Sequence, residues 1–293
     1  MTSADFASGK GHRDENFPVA SLLIRRELRP PILAFYHFVR AADDVADHAR
    51  ASAEEKLAQL ARMEESLRGR DNVNPEGTAL YAVLQERGLT DRHALDLLEA
   101  FRRDVTKQRY ADWAELMDYC RYSAAPVGRF VLDLHGESSA IWPANDALCV
   151  ALQVINHLQD CAKDYRALDR VYLPLDVLAG HGTGPEALAG TQGSPSLRQV
   201  IAELARRTET LLDQSRPFAS KIADRRLALE VGVIQALAEN LAARLRRRDP
   251  LSERVRHHAV ESACLAIRGG LGVATGWLGW TGGQQSRLRG RQG

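Results

Sequence analysis

The chain has only four cysteines in 293 residues: Cys120, Cys149, Cys161 and Cys264. They form no C-x-x-C pair and no Cys/His set at zinc spacing, which excludes a disulfide scaffold and a zinc module. They read as reduced thiols, mostly in cores, of a cytosolic protein. No window reaches about eighteen apolar residues without a charge, the length a membrane-spanning helix requires. The opening MTSADFASGKGHRDENF lacks a basic segment followed by an apolar one, so no secretory signal is read. Neither sign of charge prevails, with 39 Lys+Arg against 38 Asp+Glu and a net charge of +1. No global field therefore recruits nucleic acid. Glycine and proline are too sparse for a fibrous repeat, and no period of about twenty to fifty residues supports a solenoid. Strand signals are nearly missing: Val171 to Leu175 is a short β-like run that Pro174 interrupts.

Helical periodicity fills the rest. A globular composition, 45% hydrophobic and 26% charged, carries apolar residues at spacings of three and four. Helices are predicted over 17–27, 32–49, 53–69, 78–87, 91–106, 112–123, 126–136, 144–166, 196–214, 217–245 and 251–268. Arg29-Pro30-Pro31 ends the first, and Pro31 sits where a helix start tolerates proline. Ser52 and Glu55 have capping-box spacing. The segment 72–77 reads as a turn, and 180–195 as a loop rich in breakers. The expected fold is all-α: one domain spanning 1–293, with a core at about 15–270 and antiparallel helices around a central cavity. The glycine-rich tail, 271–293, carries Trp277 and Trp280 and either frays or lies on a membrane surface.

Two helices carry acidic stripes among apolar neighbours. Tyr36, Arg40, Asp43 and Asp47 are spaced by four, three and four, so they share one helix face, with Asp44 beside them. Phe35, Phe38, Val39, Ala42, Val45 and Ala46 occupy the other faces. More than a hundred residues later, Gln153, Asn156, Asp160 and Asp164 repeat the construction among Val150, Leu152, Val154, Ile155 and Leu158. A single D-x-x-x-D on a helix is ordinarily a solvated face. Two of them on apolar helices leave several carboxylates that something cationic must meet. Mg²⁺ fits, because it takes one or two carboxylates together with water and substrate phosphates. The metals would also invert a field that otherwise repels a diphosphate. An apolar all-α cavity then points to a substrate that is diphosphate at one end and hydrocarbon at the other.

The motifs Asp43-Asp44-Val45-Ala46-Asp47 and Asn156-His157-Leu158-Gln159-Asp160-Cys161-Ala162-Lys163-Asp164 resemble those of the squalene/phytoene synthases. So do Asp169-Arg170-Val171-Tyr172-Leu173-Pro174 and the run from Tyr119 to Gly128. The resemblance implies that Asp43, Asp47, Asp160 and Asp164 bind Mg²⁺ with the help of Asn156. It places Tyr36, Arg40 and Gln153 against the diphosphate, and Tyr122 and Tyr172 near the cationic intermediates. A salt bridge to Asp43 or Asp44 is the other reading of Arg40. Core packing is the other reading of the tyrosines.

Two departures bear on the reaction. Gln159 stands where the family carries arginine, and Asp14-Glu15-Asn16-Phe17-Pro18-Val19 replaces its serine- and lysine-bearing segment. An enzyme handling one diphosphate can dispense with these cationic donors. The runs 15–21 (Glu-Asn-Phe-Pro-Val-Ala-Ser), 122–129 (Tyr-Ser-Ala-Ala-Pro-Val-Gly-Arg) and 157–161 (His-Leu-Gln-Asp-Cys) resemble a bacterial member of the family, and that resemblance implies ionisation of presqualene diphosphate, rearrangement of the cation and capture by water, a carbon–oxygen lyase reaction in hopanoid biosynthesis. The alternatives are a squalene or phytoene synthase that joins two prenyl diphosphates, and a non-catalytic lipid-binding or assembly relative. The implied partners are the lipid diphosphate, other squalene-pathway enzymes by hand-off, and the inner face of the membrane for an otherwise cytoplasmic protein. The basic run Arg244–Arg248 suits a helix end or anionic lipid. It lacks the aromatic interleaving of a nucleic-acid platform.

Overall fold

The computed structural model describes residues 24–258 and, after them, 261–262, 264–267, 269–270 and 272–273. Much of the helix expected over 17–27, the segment 14–19 and the tryptophans of the tail lie outside the described residues. Among the described residues up to Leu245, eleven α-helices follow in order: α1 (Arg29–Asp47), α2 (Ala53–Leu67), α3 (Pro75–Arg87), α4 (Arg92–Thr106), α5 (Trp113–Ser123), α6 (Ala125–Leu134), α7 (Trp142–Leu168), α8 (Leu175–Gly180), α9 (Pro195–Ser215), α10 (Phe218–Lys221) and α11 (Arg225–Leu245). The expected β-like run amounts to an isolated parallel bridge between Arg109 and Val171, and no strand occurs among the described residues.

Local chemistry sets the boundaries. α1 takes both Pro30 and Pro31 into its first turn, where their missing amide hydrogens leave no intrahelical bond unmade. The Ser52–Glu55 box caps α2 in both directions, at 3.2 and 2.8 Å. α3 starts earlier than the spacing predicted, because the Asn74 side chain accepts from Gly77 N at 2.6 Å and Pro75 follows as a helix-starting residue. The single helix expected over 217–245 is two. Asp224 accepts from the amides of Arg226 and Leu227, which caps a new helix, α11, after α10 has stopped at Lys221. The helix expected over 251–268 is absent from 251–258, which are turn and irregular chain. There the Asp249 side chain takes the amides of Leu251 and Gly193 and holds the chain in a turn. Helical residues resume at 261.

Two apolar clusters meet across the middle of the molecule. The larger joins α7, α9 and α11 through side chains such as Ile155, Leu158, Ile201, Leu204 and Leu241. The smaller joins α1, α2 and α4 through Phe38, Leu60, Met63, Leu97 and Leu98. Phe35 of α1 stacks on Phe130 of α6 with ring centroids 4.0 Å apart, tying the second cluster to the helix that packs on α7. Gly128 makes that packing close: a Cβ there would collide with the Asn145 amide and the Cys149 sulfur of α7. The result sets α1 and α7, the two helices with acidic stripes, on opposite sides of one cavity.

Candidate active site

The cavity holds about 530 Å³, within the range of small-molecule sites. Its walls include Ile32, Phe101, Leu132, Leu148, Leu152, Phe218 and Leu227, an apolar interior suited to hydrocarbon. Tyr36, Arg40, Asp43 and Asp47 of α1 line it together with Gln153, Asn156 and Asp164 of α7 and Tyr172 beyond it. Two sequence candidates are placed elsewhere. Asp160 is not in the wall. Its half-exposed carboxylate lies 3.9 Å from Lys163, while its charge still acts on Asp164. Tyr122 also stands outside, with the Arg103 guanidinium 4.3 Å over its ring. Tyr119, almost one turn earlier on α5, is the tyrosine that reaches the cavity.

Arg40 is held by the acidic stripe itself, 2.9 Å from Asp43 and 2.5 Å from Asp44. Even so, burial keeps the carboxyls from ionising as readily as they would in water. Burial, then the charge of Asp47, raises the Asp43 carboxyl to about 7 against the pull of Arg40. Burial, then Asp160, raises Asp164 to about 7, and Asp47 adds to the effect from across the cavity. Asp43 keeps 34% of its side-chain surface accessible, so water moderates the size of its shift but not its direction.

Behind the acidic stripes lies a network that residue spacing did not reveal. Asp104 of α4 is buried and accepts from Tyr119 Oη at 2.7 Å and Tyr172 Oη at 2.9 Å. Arg170, also buried, donates to Asp47 at 2.9 Å, to the Asp104 carbonyl at 3.1 Å and to Tyr172 Oη at 3.3 Å. Burial raises Asp104 to about 6 despite Arg170 and the two phenols. Asp169 ends α7 in the left-handed region (φ 50°), and the 109–171 bridge follows. That turn directs Arg170 and Tyr172 back into the protein. His157 lines the cavity and stacks on Tyr172, centroids 3.6 Å apart. Burial, helped by the positive Arg170, pushes its imidazole down to about 3, so it is neutral at physiological pH. Spacing did hold one signal for Asp104: it continues the buried stripe Leu97, Ala100 and Phe101 on α4.

Gln159 does not face the cavity either. Its amide donates to the Val255 carbonyl at 2.5 Å and fastens the irregular 251–258 segment to α7. The basic run at 244–248 is largely internally paired: Arg244 with Glu261, Arg246 with Glu209 at 3.2 Å and Arg248 with Glu253 at 3.6 Å. No described helix is long and apolar enough to cross a membrane.

A helical cavity walled by hydrocarbon and flanked by two facing acidic helices defines an isoprenoid-synthase site. The squalene/phytoene synthase family pattern matches residues 11–261, and the chain belongs to that family of enzymes. It is 56% identical to a hydroxysqualene synthase of Rhodopseudomonas palustris over 89% of this chain and 90% of the relative. It is 54% identical to a hydroxysqualene synthase of Zymomonas mobilis over 91% of each. The crystal structure of a squalene synthase from Alicyclobacillus acidocaldarius superposes with a TM-score of 0.70 at 35% identity, covering 78% of this chain and 87% of that one.

Proposed function

We propose that this protein is a hydroxysqualene synthase, a lyase that converts presqualene diphosphate and water to hydroxysqualene and diphosphate within one domain. Identity of 54–56% with two hydroxysqualene synthases over about nine-tenths of each chain carries the reading. The cavity is consistent with it. Asp43, Asp47 and Asp164, with Asn156 and the nearby Asp160, offer the hard oxygen donors that Mg²⁺ prefers. Burial first, and neighbouring carboxylates second, raise the pKa of Asp43 and Asp164, and a bound cation would favour their ionised forms. Among the described residues no three His, Cys, Asp or Glu side chains could hold an ion unaided. When bound, Mg²⁺ supplies charge neutralisation for the departing diphosphate. Arg40 and Tyr36 bind and orient that end, and Gln153 lines it. The apolar wall takes both isoprenoid chains and keeps bulk water from the cation.

A squalene synthase that reduces the cation is the second reading, favoured by the name of the Alicyclobacillus relative at 35% identity. Product analysis separates the two. The purified protein with presqualene diphosphate and Mg²⁺ should give hydroxysqualene whether or not NADPH is present, and little product from farnesyl diphosphate alone. Because substrate and product are lipids, we place the protein on the cytoplasmic side as a peripheral membrane visitor that receives substrate from a neighbouring pathway enzyme. Release from membranes by high salt tests that placement.

A further inference from the structure

A second cavity, of about 810 Å³, adjoins the catalytic one across α10 and α11. The two helices divide their side chains between the cavities. Phe218 of α10 and Leu227 and Ile234 of α11 line the catalytic cavity. Ala219 of α10 and Arg225 and Ala236 of α11 line the second, and Val231 lines both. The partition is thin, because α10 has four residues and stops at Lys221, before the Asp224 cap of α11. Close packing builds another wall. A Cβ on Gly269 would collide with the Gly232 carbonyl of α11, and a Cβ on Gly232 with the Val273 side chain. Glycine at both positions permits that approach, and Val273 joins the two glycines in the lining.

The lining sorts by polarity. Ala219, Val231, Ala236 and Val273 supply apolar surface. Ser215 Oγ donates to Gln235 Oε1 at 2.7 Å, and the Gln235 amide donates to the Leu212 carbonyl at 2.9 Å, so these two polar side chains are satisfied within the protein. Three exposed cations, Arg216, Lys221 and Arg225, stand at the rim against one carboxylate, Glu239, which holds Arg216 at 3.1 Å. An apolar interior with a cationic rim matches a hydrocarbon chain that ends in an anion. A small anion would leave the apolar surface in water, and a plain hydrocarbon would leave the rim unmatched. Resting on the reaction proposed above, we propose that this second cavity binds an isoprenoid lipid with a phosphate head, its chain beside Val231 and its head at Lys221 and Arg225, as an entry site for the lipid diphosphate. No bond is made or broken there.

The probe is farnesyl monophosphate, titrated by calorimetry into the full-length protein in EDTA. Ala236→Phe fills the apolar part, and the double variant Lys221→Glu/Arg225→Glu reverses the rim. The parent should bind one equivalent more than Ala236→Phe, and the charge-reversed protein should bind that equivalent about tenfold more weakly. Inorganic diphosphate, a head without a chain, and farnesol, a chain without the head, should each displace it about tenfold less well than farnesyl monophosphate does. With presqualene diphosphate and Mg²⁺, both variants should keep kcat within about twofold of the parent and raise KM about fivefold. Equal stoichiometry in the parent and Ala236→Phe, with unchanged affinity in the charge-reversed protein, overturns the site. Displacement by inorganic diphosphate as readily as by the lipid overturns its chemical class, and an unchanged KM overturns the entry role. Binding to phosphatidylglycerol vesicles that charge reversal abolishes, with farnesyl monophosphate binding unaltered, assigns the rim to a membrane surface and overturns the proposal. The two variants alter separate parts of the cavity, so misfolding of one leaves the other to decide. Absence of hydroxysqualene from the parent overturns the functional reading, whereas the extra equivalent is counted without turnover, so the two failures are distinguishable.

Discussion

Asp164→Asn should make the metal-free protein more stable at alkaline pH while abolishing turnover. Burial and the charge of Asp160 raise the folded carboxyl from 3.8 to about 7. The folded state therefore holds this proton over a range where the unfolded state has lost it, so stability falls as pH rises from about 4 to about 7. Above about 7 the side chain is ionised in both states and the full penalty remains. A shift of about three units corresponds to roughly 4 kcal/mol. Partial solvation and the shared titration with neighbouring carboxylates reduce this to about 2 kcal/mol. Asn has the size of the protonated acid and never ionises. In EDTA at pH 8 the variant should gain about 2 kcal/mol, or roughly 3 °C in Tm for a chain of this length. At pH 4 the gain should vanish. Differential scanning calorimetry at the two pH values measures it. An equal gain at both, or a loss at pH 8, would refute the idea that the acidic stripes are held in mutual repulsion until cations arrive.

Three other outcomes follow from the same geometry. EDTA should remove activity and Mg²⁺ restore it, and Asp43→Ala or Asp160→Ala should remove most turnover with helical circular dichroism intact; near-parental rates in either variant would show that its carboxylate is no ligand. Arg170→Met should destabilise the fold by about 3 kcal/mol, read by urea titration, because Asp104 stays buried without its cation. Arg170→Lys should recover little of that, since one ammonium cannot reach Asp47, the Asp104 carbonyl and Tyr172 at once. Of the four thiols, Cys264 is exposed, whereas burial pushes Cys149 and Cys161 up to about 12 and raises Cys120 as well. A thiol reagent at pH 8 should therefore label one cysteine quickly and the others only on unfolding.

The all-α architecture was legible because helix periodicity needs no partner to be read: α1, α2, α7 and α9 fall within a few residues of their predicted limits. The errors cluster where side chains outrank periodicity. Asp224 and Asp249 each bind nearby amides and start or stop a helix, and an apolar count cannot see that. The two aspartate stripes were visible for a related reason, since i, i+4 spacing is a local property. The Asp104–Arg170–Tyr119–Tyr172 network was not, because its members come from α4, α5 and the turn after α7 and meet only in the folded protein. Arg170 and Tyr119 lie within family-like runs, but nothing in their spacing marks them as partners. Gln159 shows the limit from the other side: its replacement of arginine points in sequence to the diphosphate, yet its amide holds the Val255 carbonyl instead. A local helix-to-segment contact thus accounts for the residue itself, and the proposed use of a single diphosphate rests on identity with the hydroxysqualene synthases.

The origin of the product oxygen tests the account most directly. The purified protein is given presqualene diphosphate and Mg²⁺ in H₂¹⁸O with NADPH present, and the products are weighed by mass spectrometry. Hydroxysqualene carrying one ¹⁸O, formed at the same rate without NADPH, is the predicted result. Squalene formed at the expense of NADPH, or an alcohol without the label, would contradict capture of the cation by water.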